Sequence, residues 1–404
     1  MKKEFFTILL IIFTEVLGWS LILPFLPYLA TDLGASPFMV GLIIASFALC
    51  QFISSPIIGK LSDKYGRKPL LLISQFSTVV GFTLLGLANS LFIVLLSRVI
   101  DGLLGSNMTL SRAYLGDIIR NEDQKTQTKL FGYMSTVFGL GFFIGPAMGG
   151  YLATIDYSIP SFLAAGISVV TLFMVFFLLE ETVTNNKGLG ISINDIIPVK
   201  DLLVSFSDKK FRLILFYFLT FVLSFSLITA NLGLFSEYQL HVGPDTVGIY
   251  LMFVGLIRIL FQLSIFPKLV NILSREKLLI VGQILLIIAF SQIIFIESGV
   301  FMYVIMGLFS LGAGSIRPTL TSEISIRTDL TNRGKIMGVA DSLQSVSQVI
   351  APLIGGFIIE RIFPGSLGIL SFLILFPSII MSLFLFLTQK KISTIEELPS
   401  GIPD

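Results

Sequence analysis

About twelve stretches of twenty or so mostly apolar residues recur along the chain, and very few folds can absorb them. A helix needs about 20 apolar residues to cross the hydrocarbon of a bilayer. Inside lipid every backbone N–H and C=O has to be satisfied within the protein, which leaves helices or closed barrels. Runs of this length read as helices, so the chain is expected to be an all-α polytopic membrane protein. Spans are predicted near 5–30, 38–60, 69–89, 91–114, 130–153, 160–180, 211–236, 245–267, 277–296, 299–321, 334–357 and 366–388. The composition agrees: 54% of the 404 residues are hydrophobic and 13% are charged. A soluble domain is nearer a quarter charged and needs that polar cover for its own surface. The first run follows Met1-Lys2-Lys3 and is longer than the roughly 7–15 residues of a signal-peptide core, so it is taken as the first span rather than a cleaved leader.

Lysine and arginine set the orientation, because cytoplasmic loops retain them. With the N-terminus inside, nearly all loop cations fall on one side, including Lys60, Lys64, Arg67, Lys68, Arg120, Lys187, Lys200, Lys268, Arg275 and Lys390. Of the loop cations, only Arg361 is left on the other side. Both termini and the loop between spans six and seven are therefore expected in the cytoplasm, with the protein in the cell membrane. Cys50 is the single cysteine, which excludes an intramolecular disulfide. No basic cluster suited to nucleic acid, no metal-ligand cluster and no nucleotide-binding glycine loop occurs in the sequence. The one histidine, His241, is placed in an external loop. An enzyme is not expected, and neither a cofactor nor a metal is implied.

The chain also repeats itself. The fifth predicted span carries Gly132, Gly141, Gly145, Pro146, Gly149 and Gly150, and the eleventh carries Gly338, Pro352, Gly355 and Gly356. The separations from the first glycine to the proline, and from the proline to the glycine pair, are the same in both. Gln75 and Gln283, and Asp63 and Asn271, match at nearly the same offset. This implies duplication of a six-span unit: bundles over 1–180 and 211–404, joined by a cytoplasmic linker over 181–210. Two parallel six-helix repeats with the substrate site at the midplane between them are a transporter design, worked by rocking one half against the other.

The loop between spans two and three reads Gly59-Lys60-Leu61-Ser62-Asp63-Lys64-Tyr65-Gly66-Arg67-Lys68. Its glycines allow a tight turn, Asp63 is placed to bond N–H groups of the next helix, and Arg67 can bond a carboxylate nearby. This decapeptide resembles the signature loop of the major facilitator superfamily, and span number, duplication and orientation extend the resemblance to the whole chain. The second half has a worn copy over 267–277, with Asn271 and Arg275 in the corresponding places. The resemblance implies a pseudo-symmetric pair of six-helix bundles and a cytoplasmic latch of Gly59, Asp63, Gly66 and Arg67 closing on Asp117. The glycine pattern of span five is similar to that of the family's proton-coupled exporters, which implies protons as the coupling ion.

An ionisable group at mid-bilayer costs at least a few kcal/mol, so each one asks for a partner or a role. Glu15 is about ten residues into span one, roughly 15 Å of rise. Arg98 and Asp101 are three apart and share a helix face. Arg98 with Gly102 resembles an Arg-x-x-x-Gly motif of the family, from which Asp101 departs. Asp341, Gln344, Ser345 and Gln348 form a polar stripe on span eleven, and Arg258 with Gln262 a shorter one on span eight. Glu15, Asp101, Arg98 and Asp341 are the proton-coupling candidates. Glu15, Trp19, Arg258, Gln262, Gln344 and Gln348 are the candidates for lining the substrate cavity. Trp19, one turn beyond Glu15, offers an aromatic face suited to a lipophilic cation. Arg258 is a possible counter-charge for Asp341 or Glu15.

The expected function is proton-coupled efflux of a small lipophilic or cationic compound, of multidrug or tetracycline type, by a monomer in the lipid bilayer. The competing reading is transport of a native metabolite such as a sugar or a lipid.

Overall fold

The computed structural model describes residues 2–120, 122–183, 209–327 and 333–396. Most of the linker expected over 181–210 lies outside the described residues. Among those described, eleven helices are long and apolar enough to cross a membrane, and a further apolar helix follows. In chain order they are α1 (Glu4–Asp32), α2 (Pro37–Tyr65), α3 (Arg67–Gly86), α4 (Leu91–Ile118), α5 (Gln124–Ala153), α6 (Ser158–Leu178), α7 (Phe211–Leu240), α8 (Pro244–Ile272), α9 (Arg275–Ile293), α10 (Gly299–Arg327), α11 (Arg333–Arg361) and α12 (Ser366–Glu396). The protein is an all-α, multi-pass membrane protein. Below, "inner" is the face that carries the N-terminus and "outer" the opposite one.

Local chemistry sets the helix ends. Ser36 caps α2 by accepting from the Met39 N–H, with Pro37 at the first helical position, where a missing N–H costs nothing. Ser274 caps α9 in the same way through Lys277. Four spans depart from uninterrupted α-helix. α1 is interrupted by a turn over 23–25, beside Pro24 and Pro27. α4 breaks at Gly105–Ser106, and α7 ends in a π-turn over Ser236–Leu240. α8 widens into a π-turn over Phe261–Ile265, just before Pro267, whose ring nitrogen cannot donate to the preceding turn.

Two long glycine-bearing helices, α5 and α11, hold the halves together. α5 packs on α1, where a Cβ at Gly145 would strike the Ser20 hydroxyl and one at Gly149 the Leu21 carbonyl. α11 packs on α7, where a Cβ at Gly355 would strike the Asn231 amide. Each also crosses to the other half. Gly41 of α2 lies against the carbonyl of Pro352, and Gly356 against that of Pro37. In the mirrored contact, Gly248 of α8 lies against the carbonyl of Pro146, and Gly150 against that of Pro244. The two sets exchange under the sequence repeat, so the halves meet about a pseudo-twofold axis.

The contacts between the halves are near the outer face. Among the described residues, so are the hydrogen bonds between the halves. Tyr28 donates to the Val242 carbonyl at 2.7 Å, Thr31 to Glu237 at 2.8 Å, and the Phe38 N–H to Glu360 at 3.0 Å. Toward the inner face the halves part: a Cβ at Gly132 or at its repeat partner Gly338 would meet nothing within 4 Å. The molecule is closed outside, with a cleft between its halves on the inner side.

Candidate transport site

Glu15 sits half-buried on α1. Its carboxylate accepts from Gln75 Nε2 of α3 at 3.1 Å and from Asn107 Nδ2 of α4 at 3.1 Å. Asn107 Nδ2 also donates to the Thr78 hydroxyl at 2.9 Å, and Thr78 donates to Asp101 Oδ1 at 2.9 Å. Asp101 Oδ2 then faces Arg98 Nη1 at 3.8 Å. One continuous polar chain therefore runs Glu15–Asn107–Thr78–Asp101–Arg98 across three helices. Gln75, Thr78, Arg98, Asp101 and Asn107 are all buried, while Glu15 is the half-buried end of the chain.

The break in α4 makes this geometry possible. At Gly105 a Cβ would strike the Asp101 carbonyl, so only glycine fits the turn. Its carbonyl is freed from the helix and accepts from Gln51 Nε2 of α2 at 3.3 Å. The helix restarts at Asn107, which points its amide at Glu15. Gly102 has Phe47 and Cys50 of α2 against it, and Gly81 of α3 abuts the Asp101 Cβ. The Arg98 guanidinium lies 5.9 Å from the Phe47 ring centroid and 5.6 Å from that of Phe82. Cation–π attraction offsets part of the cost of burying it. Its Nη2 has no hydrogen-bond partner among the described residues.

Several expectations need correction. Glu15 and Trp19 do not form one cation-binding corner. Glu15 is turned toward α3 and α4, whereas Trp19 lies against Phe142 of α5, with ring centroids 6.3 Å apart. Arg258 pairs with neither Asp341 nor Glu15; the charged group that acts on it is another cation, Arg317 of α10. The stripe on α11 is drawn partly to that residue, since Gln344 Oε1 accepts from Arg317 Nη2 at 2.7 Å. Asp341 and Gln348 are exposed, and Asp341 lies in the field of Arg112 of α4 and of Arg317. Gln262 is exposed within the π-turn of α8.

At the inner end Arg67 joins Asp63 at 2.5 Å and Asp117 at 2.9 Å. Asp63 does not cap the next helix; Glu181 does, accepting from the N–H groups of Arg67 at 2.8 Å and Lys68 at 3.1 Å. Gly66 has φ of 107°, and a Cβ there would collide with the Glu181 carboxylate. Gly59 has open space beside it. The second half carries its own version, Arg275 with Glu323 at 3.1 Å. Of the exporter-type glycines, Gly141, Gly145 and Gly149 fit against α1 and Gly150 against α8, while Gly132 touches nothing.

Gln75, Asn107, Thr78, Arg112 and Arg317 are polar residues that reading the sequence for site roles passes over, Gln75 being singled out there only as a repeat match. Arg112 and Arg317 lie close enough to span ends to pass as retention charges. Asn107 and Thr78 are neutral and look like helix-packing groups, and only the break at Gly105, signalled by Gly105-Ser106-Asn107, hints at more.

The family model described as Major Facilitator Superfamily matches residues 8–329 and again 239–401. Tetracycline resistance protein, class D, of Salmonella ordonez is 30% identical over 370 residues, covering 89% of this chain and 91% of that protein. Multidrug resistance protein 2 of Bacillus subtilis is 27% identical, covering 89% and 90%. Quinolone resistance protein NorA of Staphylococcus aureus is 28% identical, covering 89% and 91%. Among solved structures, the nucleoside transporter NupG superposes with a TM-score of 0.78 at 12% identity, covering 95% of this chain and 100% of that one. The human organic anion transporter MFSD10 superposes at 0.67 and 21% identity, covering 93% and 99%. Those two likenesses concern the fold alone. On the family match and its full-length relatives, this chain belongs to the major facilitator superfamily, whose members here are transporters and not enzymes.

Proposed function

We propose that the protein is a proton-coupled exporter of small lipophilic compounds, working by alternating access in the cell membrane with its inner face to the cytoplasm. The observation that carries this reading is the buried polar chain from Glu15 to Asp101. Two carboxylates and one guanidinium share a water-poor site, so the group is electrically balanced when it holds one proton. Net charge is costly there, which ties proton occupancy to the state of the bundle. Glu15 is the half-buried end of the polar chain, and Asn107 and Thr78 link it to Asp101. A compound entering the cleft displaces the proton or is displaced by it, and either order gives exchange. The latch residues Asp63, Arg67 and Asp117 brace the inner ends of α2, α3 and α4, so that the first half moves as a unit. The names of the relatives, which concern resistance to tetracyclines, quinolones and multiple drugs, favour a drug-like cargo over a sugar. The acting unit is proposed to be the monomer, since the cleft lies within one chain.

The test is efflux of a dye panel from cells expressing the chain, with and without a protonophore. Dye retention should fall at least severalfold on expression, and the protonophore should restore it. Efflux that continues undiminished with the proton gradient collapsed would contradict the proposal.

A further inference from the structure

The cationic side chains of the cleft are out of balance with its acids, and the excess sits in one place. Arg258 of α8 and Arg317 of α10 are half-buried and close enough to repel each other. Arg258 donates no side-chain hydrogen bond among the described residues, and Arg317 donates one, to Gln344. A guanidinium has five N–H donors, so most of their capacity is unused. Asp341 is the acid nearby, within the field of Arg317 and Arg112 but with no ion pair closer than 4 Å among the described residues. Arg112 belongs to the first half and Arg317 to the second, so their mutual influence runs across the cleft. Even if Asp341 neutralised Arg112 fully, the Arg258–Arg317 pair would keep two like charges in a poorly solvated place. Such a pair is disfavoured unless something negative bridges it.

From this geometry we infer that Arg258 and Arg317, with Gln344 beside them, receive an acidic group of the exported compound: a carboxylate, sulfonate or phosphate. The planar guanidinium forks suit such groups, each offering two parallel N–H bonds. The apolar part of the ligand then lies toward α2 and α5, the helices of the first half that pack against α11 and α8. The cargo is thus a lipophilic acid or zwitterion rather than a simple lipophilic cation. The two halves divide the work, with proton exchange on α1, α3 and α4 and anion recognition on α8, α10 and α11. This rests on the export reading above but is tested without any gradient.

The experiment compares two dyes with one skeleton, 1-anilinonaphthalene-8-sulfonate and its uncharged parent N-phenyl-1-naphthylamine. Equilibrium binding to the purified full chain is measured in phosphatidylcholine nanodiscs. The expected result is a preference for the sulfonate that falls at least tenfold, as a ratio of affinities, in Arg258→Gln and in Arg317→Gln. The double lysine variant should retain part of that preference, because it keeps the charge. A ratio unchanged by either glutamine substitution would overturn the inference. So would abolition of the preference by phosphatidylglycerol in the nanodisc, which would make the pair a lipid-headgroup site. Movement of the uncharged parent under a pH gradient by the wild-type chain tests export separately, so failure of the two readings can be told apart.

Discussion

At the residue scale, the claim with most consequence concerns a neutral side chain. The Thr78 hydroxyl touches both Asn107 and Asp101, at 2.9 Å each, and is the one side chain to do so among the described residues. If the polar chain passes protons between Glu15 and Asp101, a hydroxyl is required there and a methyl is not enough. Thr78→Val keeps the shape almost unchanged, so it should fold and still bind dye. Proton-driven efflux should drop by a factor of about 100, the lower end of what a positioned proton-transfer group contributes. Thr78→Ser should restore most of it and return the pH profile to that of the parent. A purely structural role would instead make valine as good as serine. The Asp101–Arg98 pairing at i,i+3 was visible in the sequence, as was the isolation of Glu15. Their connection was not, because it depends on a helix break that turns Asn107 toward α1, and neutral polar residues within spans carry no charge signal.

At the scale of the helix, the glycines of α5 look alike in sequence and differ in space. Gly149 has the Leu21 carbonyl where its Cβ would be, whereas Gly132 has nothing within 4 Å. Gly149→Ala should therefore force α5 off α1 and destabilise the protein by about 1–3 kcal/mol, the usual cost of overpacking a tight interface. Gly132→Ala should leave the melting temperature in detergent unchanged or slightly raised, since alanine is the better helix former. Equal losses from both would mean that the close approach at Gly149 is not where the motif acts. The spacing of the motif was readable from the sequence; which glycine bears on which helix was not, because that depends on the crossing point. The inner latch is similar. Arg67 and Asp117 meet at 2.9 Å, but the cap on α3 comes from Glu181, a residue beyond α6 that no local pattern links to Gly66.

At the scale of the whole molecule, the offset between the halves was plain in the sequence and reappears as contacts that exchange between α2–α11 and α5–α8. The position of the cleft was not readable, because it is set by which ends of the helices touch. Tyr28, Thr31 and Phe38 tie the halves together outside, and Gly132 and Gly338 leave them apart inside. This arrangement also bears on energetics. Each charge moved through 100 mV is worth about 2.3 kcal/mol. Exchange of one proton for a monoanion would move two charges in the favourable sense, so a lipophilic acid is an easier cargo to expel than a cation. The account stands or falls on whether binding of cargo in the cleft is coupled, through the state of the bundle, to the proton held at the site that begins at Glu15. The direct measurement is proton release from the purified protein in weakly buffered detergent on adding a saturating dye. Wild type should release protons in proportion to the dye bound. Glu15→Gln should bind the dye and release none, and Asp101→Asn should release fewer than wild type. Equal release from Glu15→Gln and wild type would show that the proton comes from elsewhere and would contradict the proposed coupling.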